Sequence, residues 1–286
     1  MRRLQIAGWW VLAVFVAVGP GYADTLGSVD VTFQKALGGA VSALVNRPDL
    51  GLAKEVDTDA GPMQVNLSNP KLPNNSSGGP AANLPNPQFA FCMDLYKPAL
   101  LHQTESYQIV SLTEAPIPGP TSHVFISATQ AALIGSLFQK DYALAIAHST
   151  SNSGVVTLTN PVDAEAFTAA LWELVYDTGL DVKTFGNVDG TGTGFMAGPY
   201  HGHSYGYGFD TNALTLANTW LDGLDPSNTA NVVALVNQTT QDFALMLGGS
   251  GPPGPNNPRT PEPTGVVALL GLALMGLVAV RRGRRR

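Results

Sequence analysis

Few residues in this chain have types and spacings that could support chemistry. The stretch FCMDLYKP, residues 91–98, holds Cys92, the single cysteine among 286 residues. One thiol cannot form a bridge within its own chain. It can act as a small buried apolar residue, as a reactive thiol or intermolecular disulfide, or as a protease-type nucleophile. The nucleophile needs a partner histidine, and no segment supplies an evident one. His201 and His203, in GPYHGHSYGYGFD, alternate as two imidazoles on one strand face would. They make two metal ligands where a catalytic zinc takes at least three. The glycines and tyrosines around them read as a surface loop whose rings would suit sugar stacking. NVDGTGTG, residues 187–194, lacks the alternating acids and closing glutamate of a calcium loop and reads as turn glycine.

The elements that must position these residues are of two kinds. Gly27–Phe33, Gln88–Leu95, Tyr107–Leu112, His123–Ile126 and Val155–Thr159 have strand composition, and a last strand falls near QDFALML, residues 241–247. Alternation in FAFCMDL puts Phe89, Phe91, Met93 and Leu95 on one face and Ala90, Cys92 and Asp94 on the other. Cys92 is thereby expected opposite the more hydrophobic face. Ser127-Ala-Thr-Gln130 is a capping-box pattern opening a helix with Leu133, Leu137, Ala143 and Leu144 toward the core. Asn160 caps a second helix that begins at Pro161. Its apolar stripe is Phe167, Ala170, Leu171, Leu174 and Val175, and Gly179 is its expected end. Further helices are expected in NALTLANTWLDGL, residues 212–224, and around TANVVALVN, residues 229–237. Residues 68–88, with five prolines, read as a loop, and 248–260 as a flexible stalk. The pattern predicts an α+β fold: an antiparallel β-rich, sandwich- or barrel-like body with several helices in its second half.

Both termini read as export signals. Met1-Arg2-Arg3, an apolar run from Leu4 to Val18, a Gly19-Pro20 break and small residues before Ala23 describe a signal peptide over residues 1–23, cleaved after Ala23. Residues 265–280 are apolar and uncharged, and five of the last six residues are arginine. Such a segment is threaded through the membrane with its basic end in the cytoplasm, which leaves the body outside. Pro261, Glu262 and Pro263, followed by this span and the arginine cluster, resemble the PEP-CTERM sorting signal of exopolysaccharide-producing Gram-negative bacteria. The resemblance covers residues 261–286. It implies recognition by an exosortase, cleavage near the tripeptide, and transfer of the body to the outer surface or matrix. Membrane contact is then confined to the transient C-terminal segment, with signal peptidase and exosortase as partners during export. Seven of the 15 basic residues lie in the two end segments, so the body keeps eight against 21 acids if Glu262 is included, a net charge of about −13. A body so charged repels nucleic acid and anionic lipid.

The order FCMDLYK, SYQIVSL, ATQAALIGSLFQKDY, AEAFTAALWELVYDTG, ANTWLDGL, QDFALML is similar to that of thioester-domain-like proteins over residues 88–247, within a body spanning 24–247. The resemblance implies a cysteine on a strand joined through sulfur to the side-chain carbonyl of a glutamine, with ammonia lost. An amine attacks that masked electrophile, and the protein becomes covalently attached. Cys92 and Trp172 match the pattern. Thr168 stands where the glutamine is expected and has no acyl group, so these three read as degenerate thioester positions. Gln130 is the alternative acyl donor, although the capping box already gives it a task.

These readings lead to an exosortase-sorted surface or matrix protein with a structural or adhesive role in an exopolysaccharide or biofilm setting. It is expected to be no enzyme, to carry no cofactor, and to meet exopolysaccharide or envelope components rather than nucleic acid. Two alternatives stand beside it. One is a covalent adhesin in which Cys92 forms a non-canonical thioester with Gln130 or another acyl donor. The other is a secreted sugar- or metal-binding module built on residues 201–210.

Overall fold

The computed structural model describes residues 25–48, 51–71, 88–117, 124–150, 156–177, 180, 182–184, 194–197 and 209–247. The signal peptide with Ala23, the stalk, the Pro261-Glu262-Pro263 segment with its apolar span, Gly179, and His201 and His203 lie outside them. Among the described residues no helix is long and apolar enough to cross a membrane.

Twelve strands and three α-helices are described. The strands are β1 (Thr25–Ala36), β2 (Gly39–Arg47), β3 (Leu52–Ala60), β4 (Pro62–Lys71), β5 (Gln88–Cys92), β6 (Thr104–Ser111), β7 (His148–Thr150), β8 (Val156–Leu158), β9 (Lys183–Thr184), β10 (Gly194–Ala197), β11 (Val232–Val236) and β12 (Phe243–Met246). The helices are α1 (Ala128–Ala145), α2 (Pro161–Tyr176) and α3 (Thr211–Asp222). Six strands close an antiparallel barrel in the order β1-β4-β5-β12-β11-β6. Closure removes both sheet edges. It also gathers inward-facing rings: Phe33 lies 4.5 Å from Phe243 and 5.9 Å from Tyr107, centroid to centroid.

Between β1 and β4 the chain leaves the barrel as the β2–β3 hairpin, the main part of a second sheet ordered β3-β2-β10-β9. The two passages cross at Gly38 and Gly61. A Cβ on Gly38 would fall on the Ala60 carbonyl, and Gly61 takes φ +148°, a backbone region open to glycine. Helix α2 fills the space between barrel and second sheet. On one side Phe167 meets Phe91 of β5 at 4.4 Å, and on the other Trp172 meets Phe195 of β10 at 5.8 Å. Packed on both sides, α2 is buried from Ala166 through Tyr176, well beyond the five-residue stripe expected of it.

Both expected caps are present. Ser127 and Gln130 form the reciprocal capping box of α1, and Asn160 accepts from the Val162 N–H with Pro161 beginning α2. Helix α3 matches the third expected helix. Several expectations are corrected. TANVVALVN contributes strand β11 instead of a helix, because its valine-rich run pairs on both sides, with β6 and β12. In α1 the buried positions are Ile134, Leu137, Phe138, Tyr142 and Ala145, whereas Leu144 is half exposed and Leu133 and Ala143 are intermediate. Residues 68–71 continue β4, and Gln88 begins β5, so the proline-rich loop is shorter at both ends. Of the strand expected over His123–Ile126, His123 lies outside the described residues, and residues 124–126 provide one bridge, Phe125 to Pro116. Cys92 does lie on the face opposite Phe91, which packs on the helices, but that face is no less buried. All five β5 residues are buried, because one face lines the barrel and the other lies beneath the helices.

The crossing at Gly38 generates a test. Gly38→Ala forces a methyl group onto backbone that cannot retreat without opening the hairpin junction. We expect it to cost about 1–3 kcal/mol, the range of overpacking changes, read as a lowered urea midpoint.

Candidate functional site

Cys92 ends β5 and pairs directly with Phe243 at the start of β12. Opposed residues in an antiparallel pair point to one side, so the thiol faces the barrel interior with Phe243. The segment before β12 is built to place its neighbour. The Asn237 side-chain oxygen accepts from the Thr239 and Thr240 N–H groups at 2.8 and 3.1 Å, and the Tyr107 hydroxyl meets Thr240 at 2.8 Å. The Gln241 N–H then donates to the Pro98 carbonyl. These contacts turn Gln241 onto Cys92. The Gln241 Nε2 lies 2.5 Å from the Cys92 Sγ, closer than the ~2.7–3.2 Å of an ordinary N–H···O bond although sulfur is the larger atom. Both groups also reach one acceptor, the Asp94 carbonyl, with Nε2 at 2.7 Å and Sγ at 3.0 Å. A thiol and a carboxamide 149 residues apart are thus held in contact.

The backing of this pair is rigid and dry. Cys92 is 2 % and Gln241 4 % exposed. The Trp172 indole N–H donates to the Cys92 carbonyl at 2.9 Å, and the Tyr176 hydroxyl bridges the Met93 carbonyl and the Leu95 N–H, both at 3.1 Å. Helix α2 therefore fixes the backbone on each side of the thiol. Burial, with the neighbouring Asp94 charge, pushes the Cys92 pKa well up, so the sulfur rests as a thiol and not as a free thiolate.

A charged cluster flanks the pair. The Lys97 Nζ lies 3.2 Å from Asp94 Oδ2, 3.3 Å from Asp242 Oδ2 and 2.9 Å from the Asn237 carbonyl. It ties the segment after β5 to the segment before β12. Burial alone would lower the Lys97 pKa, but the Asp242 and Asp94 carboxylates outweigh it and hold the ammonium form. Lys97, an amine close to Gln241, is therefore no competing nucleophile. Burial pushes Asp242 up to about 7 against the opposing pull of Lys97 and the Asn237 N–H.

A cavity of about 490 Å³ opens over Gln241 between the β2–β3 hairpin, the start of β4 and residues 95–101. Gln241 is among the residues that line it. Neither the hairpin nor the cavity was anticipated from sequence.

The other candidate residues separate cleanly. Thr168 is buried on α2 and its hydroxyl donates to the Ala164 carbonyl at 2.9 Å, the back-bond of an ordinary helical threonine. Gln130 is committed to the capping box and to the carbonyls of Leu174, Val175 and Asp177 at the end of α2. Trp172 does come to Cys92, through its backbone. The residue missed from sequence is Gln241. A scan for every glutamine beside an expected strand would have included it, but such a scan does not choose among them. Among the described residues no group of three or more His, Cys, Asp or Glu could hold a metal ion. No protein-family model, curated protein or solved structure matches this chain.

Asp242 makes the site pH-dependent in a defined direction. Unfolded, it titrates near 3.8, and folded near 7, so the folded state binds the extra proton in between. Its contribution to stability is complete below pH 4 and is lost as pH rises to 7. Asp242→Asn removes that term. Urea midpoints of the variant are expected to fall less from pH 4 to 7 than those of the wild type.

Proposed function

We propose that this chain is a covalent-attachment module in which Cys92 and Gln241 form an internal thioester that captures amines. The contact of the Gln241 carboxamide with the Cys92 sulfur carries this reading. The chemistry balances without a cofactor. The Cys92 sulfur bonds to the Gln241 side-chain carbonyl carbon, the carbon–nitrogen bond breaks, and the amide nitrogen leaves as ammonia with the thiol proton. A primary amine then attacks the same carbon. A new carbon–nitrogen bond forms, the carbon–sulfur bond breaks, and the amine's proton returns sulfur to the thiol. Because the thiol rests protonated, its proton must move as the bond forms, and direct contact with the leaving nitrogen offers a path. Burial keeps water from the acyl carbon before an amine arrives.

Each molecule reacts once, so the chain is a reagent and no turnover enzyme. The thioester-domain resemblance of residues 88–247 supports the same chemistry, with Gln241 in the place that Thr168 cannot fill. The export signals read at both ends put the module on the outer surface or in an exopolysaccharide matrix, where a covalent link resists washing out. We prefer this reading to a passive matrix role because the carboxamide is held against the one thiol as well as on the Asp94 carbonyl, the juxtaposition a thioester needs.

Intact-mass spectrometry of natively purified protein tests it. The expected species is lighter than its sequence by one ammonia, and methylamine restores the mass of a methylamide on Gln241. Cys92→Ser and Gln241→Ala each abolish the loss. Full mass in the wild type, with no ammonia lost, would sink the proposal.

A further inference from the structure

Resting on the thioester reading, the cavity over Gln241 narrows the nucleophile to one class. Its lining is mixed: Ala40, Val56, Met63 and Leu101 give it an apolar wall, and Thr58, Tyr96 and Gln241 give it polar groups. Two charged side chains line it, Lys97 and Asp59. Lys97 is held by Asp94, Asp242 and the Asn237 carbonyl, so its charge is answered from within the protein. Asp59, near the end of β3, is exposed, and no side-chain hydrogen bond or ion pair to it is found among the described residues. The cavity therefore brings together Gln241, an aliphatic wall and one unanswered carboxylate on the β2–β3 hairpin.

We infer that the preferred nucleophile is an aliphatic diamine, with Asp59 as its specificity-determining residue. One amine must be unprotonated to attack the acyl carbon, and a protonated amine held on Asp59 would not react. A molecule with two amines on a methylene chain resolves the conflict. Its distal ammonium pairs with Asp59 while its other, free amine reaches Gln241, and the methylenes lie along the apolar wall. An amino sugar fits less well, because it has a single amine and no second ammonium to pair with Asp59 while that amine attacks.

The test compares 1,4-diaminobutane, butylamine and glucosamine, added to the purified full chain after its ammonia loss has been verified by mass. Rates are read as adduct mass appearing on Gln241 at equal concentrations of free amine. Diaminobutane is expected to add about two- to fivefold faster than butylamine, the advantage an exposed ion pair supplies, and faster than glucosamine. Asp59→Asn should remove the diamine's advantage. So should high salt with the wild type, which tests the ion pair without relying on a variant that folds. Equal rates for diaminobutane and butylamine, or an advantage that survives both Asp59→Asn and high salt, would overturn the inference and leave the thioester standing. Absence of the ammonia loss would overturn the thioester, and this inference with it.

Discussion

The antiparallel pairing of β5 with β12 closes the barrel, and every feature of the site follows from it. Pairing Phe243 with Cys92 sets the register, and a slip by one residue would turn the thiol from the barrel interior toward the helices. The same register puts Gln241 over Cys92 and the Asp242 carbonyl on the Met93 N–H at 2.8 Å. The ring cluster of Phe33, Tyr107 and Phe243 fills the interior beneath the pair and holds that register by shape.

Helix α2 plays the complementary part. Trp172 and Tyr176, one turn apart on its surface, spend their polar atoms on the backbone of residues 92–95. Buried indole and phenol groups need partners, and here satisfying them fixes the strand end that carries the thiol. The matching of Trp172 in sequence therefore pointed to a real contact, but to one that positions the cysteine and not to one that supplies acyl chemistry.

Local signals were legible and long-range ones were not. The Ser127–Gln130 capping box and the Asn160-Pro161 start depend on residues within a few positions, and both were readable because their physics is local. The β-rich body with helices in its second half followed from composition. The strand character of β11 was hidden because VVALV, buried on both faces, has no alternation to separate it from a core helix. The partner of Cys92 was hidden for a different reason. A glutamine beside a strand is unremarkable until barrel closure brings it across 149 residues, and closure depends on pairings that no window of sequence contains.

That separation has a mechanical meaning. A bond between Cys92 and Gln241 would tie β5 to β12 and enclose all three helices in one covalent ring. By loop-closure entropy, a ring of that size constrains the unfolded chain by about 5 kcal/mol, comparable to a long-range disulfide. On the proposed chemistry, capture of an amine would cut the ring at the moment it created the external link. The molecule would then exchange an internal staple for an outward tether, and the unreacted form would be the more firmly knit of the two.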